Sequence, residues 1–110
     1  MHNSEIDRKE MLYAFWNNWL DMKVGIEEAY KHKNAEAANM MDKAIENYVK
    51  MLGTFMRVDS STKSSIEPLN GEERLQFIQD KISVYFAFVQ LDTLYTEAMK
   101  KAVSQLAMRK

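Results

Sequence analysis

"SSTKSSIEPLNGEERLQFI" (residues 60–78) is the one stretch that interrupts an otherwise uniform chain. It holds the only proline, Pro68, and one of only three glycines, Gly71, behind a run of serines. The serines have no helical periodicity, and Pro68 can neither donate a backbone hydrogen bond nor sit inside a helix without a clash. The segment from about residue 58 to residue 70 therefore reads as a loop. The "NGEE" that follows reads as a helix start, with Asn70 as its N-cap and Glu72 and Glu73 at the positive end of the helix dipole. On this reading the stretch joins two helical halves. A binding role is the alternative, since loops of this length are sometimes functional.

Glycine and proline total four residues in 110, so helix is favoured on both sides of the joint. From Leu12 the apolar residues Phe15, Trp16, Trp19, Ile26 and Tyr30 recur at helical spacing, one stripe of a long first helix. Ser4 with Asp7 marks its start, and the basic trio Lys31-His32-Lys33 suits its negative C-terminal end. Asn34 caps a second helix, whose stripe runs Ala38, Met41, Ile45, Tyr48, Val49, Leu52, Phe55 and Met56 before it ends near Arg57. A short third helix buries Leu75, Phe77, Ile78 and Ile82. Near Ser83 the pattern breaks, and it restarts as Phe88, Leu91, Tyr95, Ala98, Met99, Ala102 and Leu106. The expected fold is all-α: one four-helix, bundle-like domain over residues 1–110, with two long helices, a loop, a short helix and a long one.

Composition removes several functions. Fifteen basic against sixteen acidic residues leave a formal net charge of -1, which gives no long-range field to recruit nucleic acid or an anionic membrane. There is no cysteine, so disulfides, thiolate catalysis, iron–sulfur clusters and zinc ribbons are excluded. The charged N-terminal "MHNSEIDRKEM" is followed by no apolar segment of the secretory kind. The longest apolar run, "VYFAFV" (84–89), is far shorter than a membrane span. A cytoplasmic protein without membrane attachment is expected.

No catalytic or metal set can be assembled. A carboxylate-bridged dimetal site in a helical bundle needs two inward Glu-x-x-His pairs. The only histidines are His2 and His32. Glu28 and His32, four apart, share a helix face and read as a solvated pair before a metal pair. The glycines stand alone at 25, 53 and 71, so no phosphate loop exists. Serine chemistry would rely on His32, for which no orienting group is visible. Glu27-Glu28 and Glu72-Glu73 are adjacent in helices, hence about 100° apart, and cannot share a proton. No cofactor is expected.

Two charges fall on apolar stripes. Lys23 lies between Trp19 and Ile26, and Asp92 between Phe88 and Tyr95. A carboxylate there needs a partner. Asp92 with Lys23, Arg8 or Arg74, beside Trp16 and Trp19, forms the polar floor of a small pocket; the alternatives are a structural ion pair, or a lysine snorkelling at the stripe's edge. Arg74 sits where the helix dipole disfavours a cation, so it needs an acidic partner, and Asp92 is the first expected. The first helix also carries a second apolar line, Ile6, Tyr13, Leu20 and Val24, more than 100° from the first; such a line fits either a fourth-side contact within the domain or a partner surface. Nine methionines, including Met40, Met41, Met51 and Met56, fit either core filling or an adaptable interface.

The chain resembles the YpoC-like family, small helical proteins of Gram-positive bacteria. The residues that carry the resemblance are Pro68-Leu69-Asn70, Glu73-Arg74-Leu75 with Phe77-Ile78, then Tyr85, Phe88, Gln90-Leu91 and Leu94. It covers the C-terminal half of the chain. The resemblance implies a helical fold and supplies no catalytic residue.

Three readings follow. The first is a non-enzymatic interaction domain that docks on another protein or on itself through Ile6, Tyr13, Leu20 and Val24. The second is a small-ligand binder or enzyme with a pocket at Lys23, Asp92, Trp16 and Trp19. The third, nucleic-acid binding, requires Lys31, Lys33, Lys100, Lys101, Arg109 and Lys110 to gather at one end, and the charge balance argues against it.

Overall fold

The computed structural model describes the backbone of residues 4–58 and 66–108 and the side chains of residues 8–55 and 66–107. Four helices follow in order: α1 (Ser4–Lys31), α2 (Glu36–Val58), α3 (Gly71–Asp80) and α4 (Tyr85–Met108). There is no strand among the described residues. The expected all-α, bundle-like domain is what forms, with the break between the last two helices at residues 81–84. The Ser4/Asp7 start signal lies outside the described side chains.

The joint between α1 and α2 is built from backbone hydrogen bonds. Asn34 N–H donates to the Ala29 carbonyl at 2.8 Å, and Lys33 N–H donates to that of Tyr30 at 3.1 Å. These are the two bonds of a Schellman motif, and they hold Lys33 in the left-handed region at φ 53°. Asn34 then accepts the Glu36 N–H on its side-chain oxygen at 2.9 Å, so it caps α2 as expected.

The joint before α3 works differently from the sequence expectation. Asn70 makes no side-chain cap; it is itself left-handed, at φ 56° and ψ 32°. Gly71 N–H donates to the Pro68 carbonyl at 2.9 Å, closing a tight turn whose third residue needs positive φ, a position asparagine tolerates. The Asn70 carbonyl then receives the Arg74 N–H at 2.9 Å. A Cβ at Gly71 would come within 2.7 Å of Glu67 Cγ, so any other residue there would force the Glu67 side chain to move.

Helices α1, α2 and α4 pack on one another, while α3 packs on α4 alone among the described elements. α1 runs antiparallel to both long neighbours: Phe15 meets Asn47 and Gly25 lies near Met40 of α2, while Trp19 meets Tyr95 and Tyr30 meets Tyr85 of α4. The core joins Leu12, Trp19 and Ile26 of α1 to Met41, Tyr48 and Met51 of α2 and Leu91, Leu94 and Tyr95 of α4. Met41 and Met51 are fully buried, which settles their role as core filling; Met56 lies outside the described side chains. Two residues assigned to buried stripes are exposed instead, Val49 at 48% and Phe77 at 41%. The buried face of α2 is turned toward Ala37, Ala44 and Met51, and α3, which among the described elements packs on α4 alone, is covered on one side only. The Cα extents are 49 × 27 × 18 Å, a slab about two helix diameters thick.

Candidate functional site

On α1, Trp19 points into the core and Lys23, about one helical turn later, lies at its edge. On α4, Asp92 occupies the matching edge. Asp92 Oδ1 accepts the Trp19 indole N–H at 3.1 Å and the Lys23 ammonium at 3.0 Å. The Lys23 ammonium also sits 5.9 Å from the Trp19 ring centre, within cation–π reach. The indole stacks on Tyr95 with ring centres 4.3 Å apart and 7° between planes. The Lys23 and Asp92 side chains are 30% and 36% exposed, so water screens the pair and its electrostatic worth is small. Its effect is to fix the α1/α4 register.

The other proposed members of this cluster are elsewhere. Trp16 is half-buried against the core and shares no hydrogen bond or ring contact with the trio among the described residues. Arg8 lies fifteen positions before Lys23, about 22 Å along the helix, and is buried with its Nε unpartnered among the described residues. Arg74 forks Glu97, not Asp92, at 2.8 and 3.0 Å, and also holds the Leu69 carbonyl at 3.1 Å. The reason is angular: Asp92 and Glu97 are five residues apart, about 140° around α4, so one faces α1 and the other faces α3. The fork to Arg74 holds the Glu97 carboxyl below the usual glutamate range and raises the guanidinium above its own.

A polar network missing from the sequence reading crosses the core. The Tyr95 hydroxyl donates to the Ala44 carbonyl and accepts from Asn47 Nδ2 at 3.0 Å. The same Nδ2 reaches the Phe15 carbonyl at 3.1 Å, tying α1, α2 and α4 together. Tyr48, edge-on to Tyr95, is as deeply buried, but its hydroxyl has no partner among the described residues. Burial raises the pKa of both phenols. Asparagine is so common on helix surfaces that only its apolar neighbours could have flagged Asn47.

The second apolar line of α1 is open to solvent. Tyr13 is 38% exposed, Leu20 39% and Val24 66%; Ile6 lies outside the described side chains. Two clefts lined by described residues are elsewhere: one of about 310 Å³ between α1 and α2, bordered by Asn18, Asp21, Lys43 and Glu46, and one of about 290 Å³ near Tyr30, Lys33, Ser83 and Tyr85. Neither includes Lys23, Asp92, Trp16 or Trp19.

The basic residues among those described do not gather at one end. Tyr30 meets Tyr85, so Lys31 and Lys33 lie beside the start of α4, while Lys100 and Lys101 lie about 22 Å further along it. Lys101 is engaged with the Glu67 carbonyl at 2.9 Å, and Arg109 and Lys110 lie outside the described residues. Among the described residues no group of three acidic or imidazole side chains could hold a metal; Glu28 and His32 form an exposed pair at 3.1 Å. No helix among them is long and apolar enough to cross a membrane.

A family model described as YpoC-like protein matches residues 9–110, nearly the whole chain rather than the C-terminal half alone. The chain belongs to the YpoC-like family. Comparison with curated proteins and with solved structures gives no match. For this YpoC-like chain, the helical frame carries the family pattern from α1 onward. Of the residues on which the resemblance rested, Glu73-Arg74-Leu75 fall in the first half of α3, where Arg74 pairs with Glu97 of α4, and Phe88, Leu91 and Leu94 fall in the core.

Proposed function

We propose that this YpoC-like protein is a non-enzymatic interaction domain of the cytoplasm that docks on another protein through α1. The observation that carries the reading is the exposed line Tyr13, Leu20 and Val24, on the helix whose other face is the core. An amphipathic helix normally buries one stripe and solvates the rest. Apolar side chains recurring along the solvent side gain free energy only when something covers them. The absence of cysteine fits a reducing compartment. Lys23, Asp92 and Trp19 support the same reading from below, since they lock the helix that presents the line.

A photo-crosslinking residue placed at Val24, in cells that make the protein natively, tests this. The expected result is a discrete cross-linked protein that disappears when Leu20→Glu is added. A control at Glu46, exposed on α2, should give background only. Equal background at both positions would overturn the reading.

A further inference from the structure

A cleft of about 290 Å³ opens where the α1/α2 joint meets the start of α4, a volume at the low end of small-molecule sites. Short side chains make the space: Ala35, Ala37 and Ala38 line it around the start of α2. Tyr30 and Tyr85 line it from α1 and α4, with ring centres 6.1 Å apart and 81° between planes. Both hydroxyls are engaged, Tyr30 donating to the Ile82 carbonyl and Tyr85 to Glu27 Oε2 at 3.1 Å. The two rings are therefore fixed before anything binds, which lowers the ordering cost for an occupant. Lys33 is the only charged residue of the lining. Neither its ammonium nor the Ser83 hydroxyl has a partner among the described residues. Asn34 spends its side-chain oxygen on the Glu36 N–H, so its amide nitrogen is left as a donor. Lys33 also stands at φ 53°, a strained place for lysine that glycine would fill freely. Strain held beside a cleft points to a use for the side chain other than stability.

We propose that this cleft binds a small aromatic carboxylate, its ring against Tyr30 and Tyr85 and its carboxylate on the Lys33 ammonium, with Ser83 as a second donor. The sign of the ligand follows from the lining, which holds one cation and no acid. Glu27 is outside it, and its carboxylate is taken up by the Tyr85 hydroxyl. Every free polar group of the lining can donate a hydrogen bond, which suits an acceptor-only carboxylate. The single charge follows as well. A lone lysine matches a monoanion, whereas the nearly double charge of a phosphate ester would ask for a second cation that the lining lacks. The flat apolar part follows from the alanines and the two rings, which offer contact area and edge or stacking geometry to another ring.

Titration of the isotope-labelled full chain with benzoate, followed by amide NMR shifts, tests this. Benzoate at millimolar concentration should shift the amides of residues 30–38 and 83–85 in a saturable way. Benzylammonium, a similar ring with the opposite charge, should bind at least tenfold more weakly. Lys33→Gly separates the site from the fold, because glycine suits the left-handed position. That variant should keep its structure and bind benzoate at least fivefold more weakly. Ala38→Leu should fill the cleft and abolish the shifts; should it fail to fold, Lys33→Gly still decides. The absence of a saturable shift at these amides would overturn the proposal. Equal responses to the two probes, or undiminished binding by folded Lys33→Gly, would do the same. None of these results touches the cross-link at Val24, so the cleft and the α1 line fail separately.

Discussion

Tyr48 and Tyr95 touch edge to face in the core with ring centres 5.2 Å apart, and their hydroxyls have opposite energetics. Removing the Tyr95 hydroxyl deprives the Ala44 carbonyl and Asn47 of a buried partner, so Tyr95→Phe should cost about 1–3 kcal/mol in a denaturant melt. Tyr48→Phe removes a buried hydroxyl with no partner among the described residues, and it should lie within about 0.5 kcal/mol of wild type or gain stability. The sequence identified both rings as core but could not tell the hydroxyls apart, because pairing depends on a carbonyl and an amide from another helix. Arg74 shows the same division. Its need for an acid was legible from its place in the first turn of α3; that the acid is Glu97 depends on how α3 crosses α4. Arg74→Ala should cost about 1–2 kcal/mol, between an exposed pair and a buried one, since the guanidinium is 26% and Glu97 41% exposed. Glu97 has a depressed pKa, so its contribution is complete above the ordinary glutamate range and is lost as pH falls through the folded-state value. Arg74, raised, stays charged throughout. The gap between wild type and Arg74→Ala should therefore be flat above about pH 5 and shrink below about pH 4.

At the scale of elements, helix ends decided how much could be read. Asn34 was legible because a side-chain oxygen before an acidic first turn is a local signal. The Schellman turn ahead of it was not, because its left-handed position holds Lys33 where glycine is usual. Lys33→Gly should raise stability by about 0.5–1 kcal/mol in a thermal or denaturant melt, by relieving the left-handed strain. A loss of similar size would mean that the lysine side chain is held by contacts worth more than the strain. Asn70 was misread as a side-chain cap for a related reason: asparagine is favoured both at N-caps and in left-handed turns, and only the geometry after Pro68 separates the two. The break at residues 81–84 was visible because the apolar stripe changes phase there. No glycine or proline marks it, and Tyr30 pins it from outside by donating its hydroxyl to the Ile82 carbonyl.

The whole molecule is a slab in which three long helices enclose one core and α3 leans on a single neighbour. That shape explains why apolar side chains remain on α1 and α4: among the described elements, none covers the outer sides of these two helices. The sequence exposed the extra line on α1 because an amphipathic helix needs only one stripe. On α4 it marked only the buried stripe; the exposed Phe86, Val89 and Val103 are interspersed with polar residues and stand out only once the packing is known. It also signalled the Lys23–Asp92 contact, since charges on apolar stripes must find each other, while the pocket expected around them belongs to neither cleft. The central claim is that the α1 line serves association and not folding. The most direct test is a denaturant melt of the double variant Leu20→Ser/Val24→Ser. Its stability should stay within about 0.5 kcal/mol of wild type, as for substitutions on an open surface. A loss of about 2 kcal/mol or more would show that these side chains belong to the core, and would contradict the account.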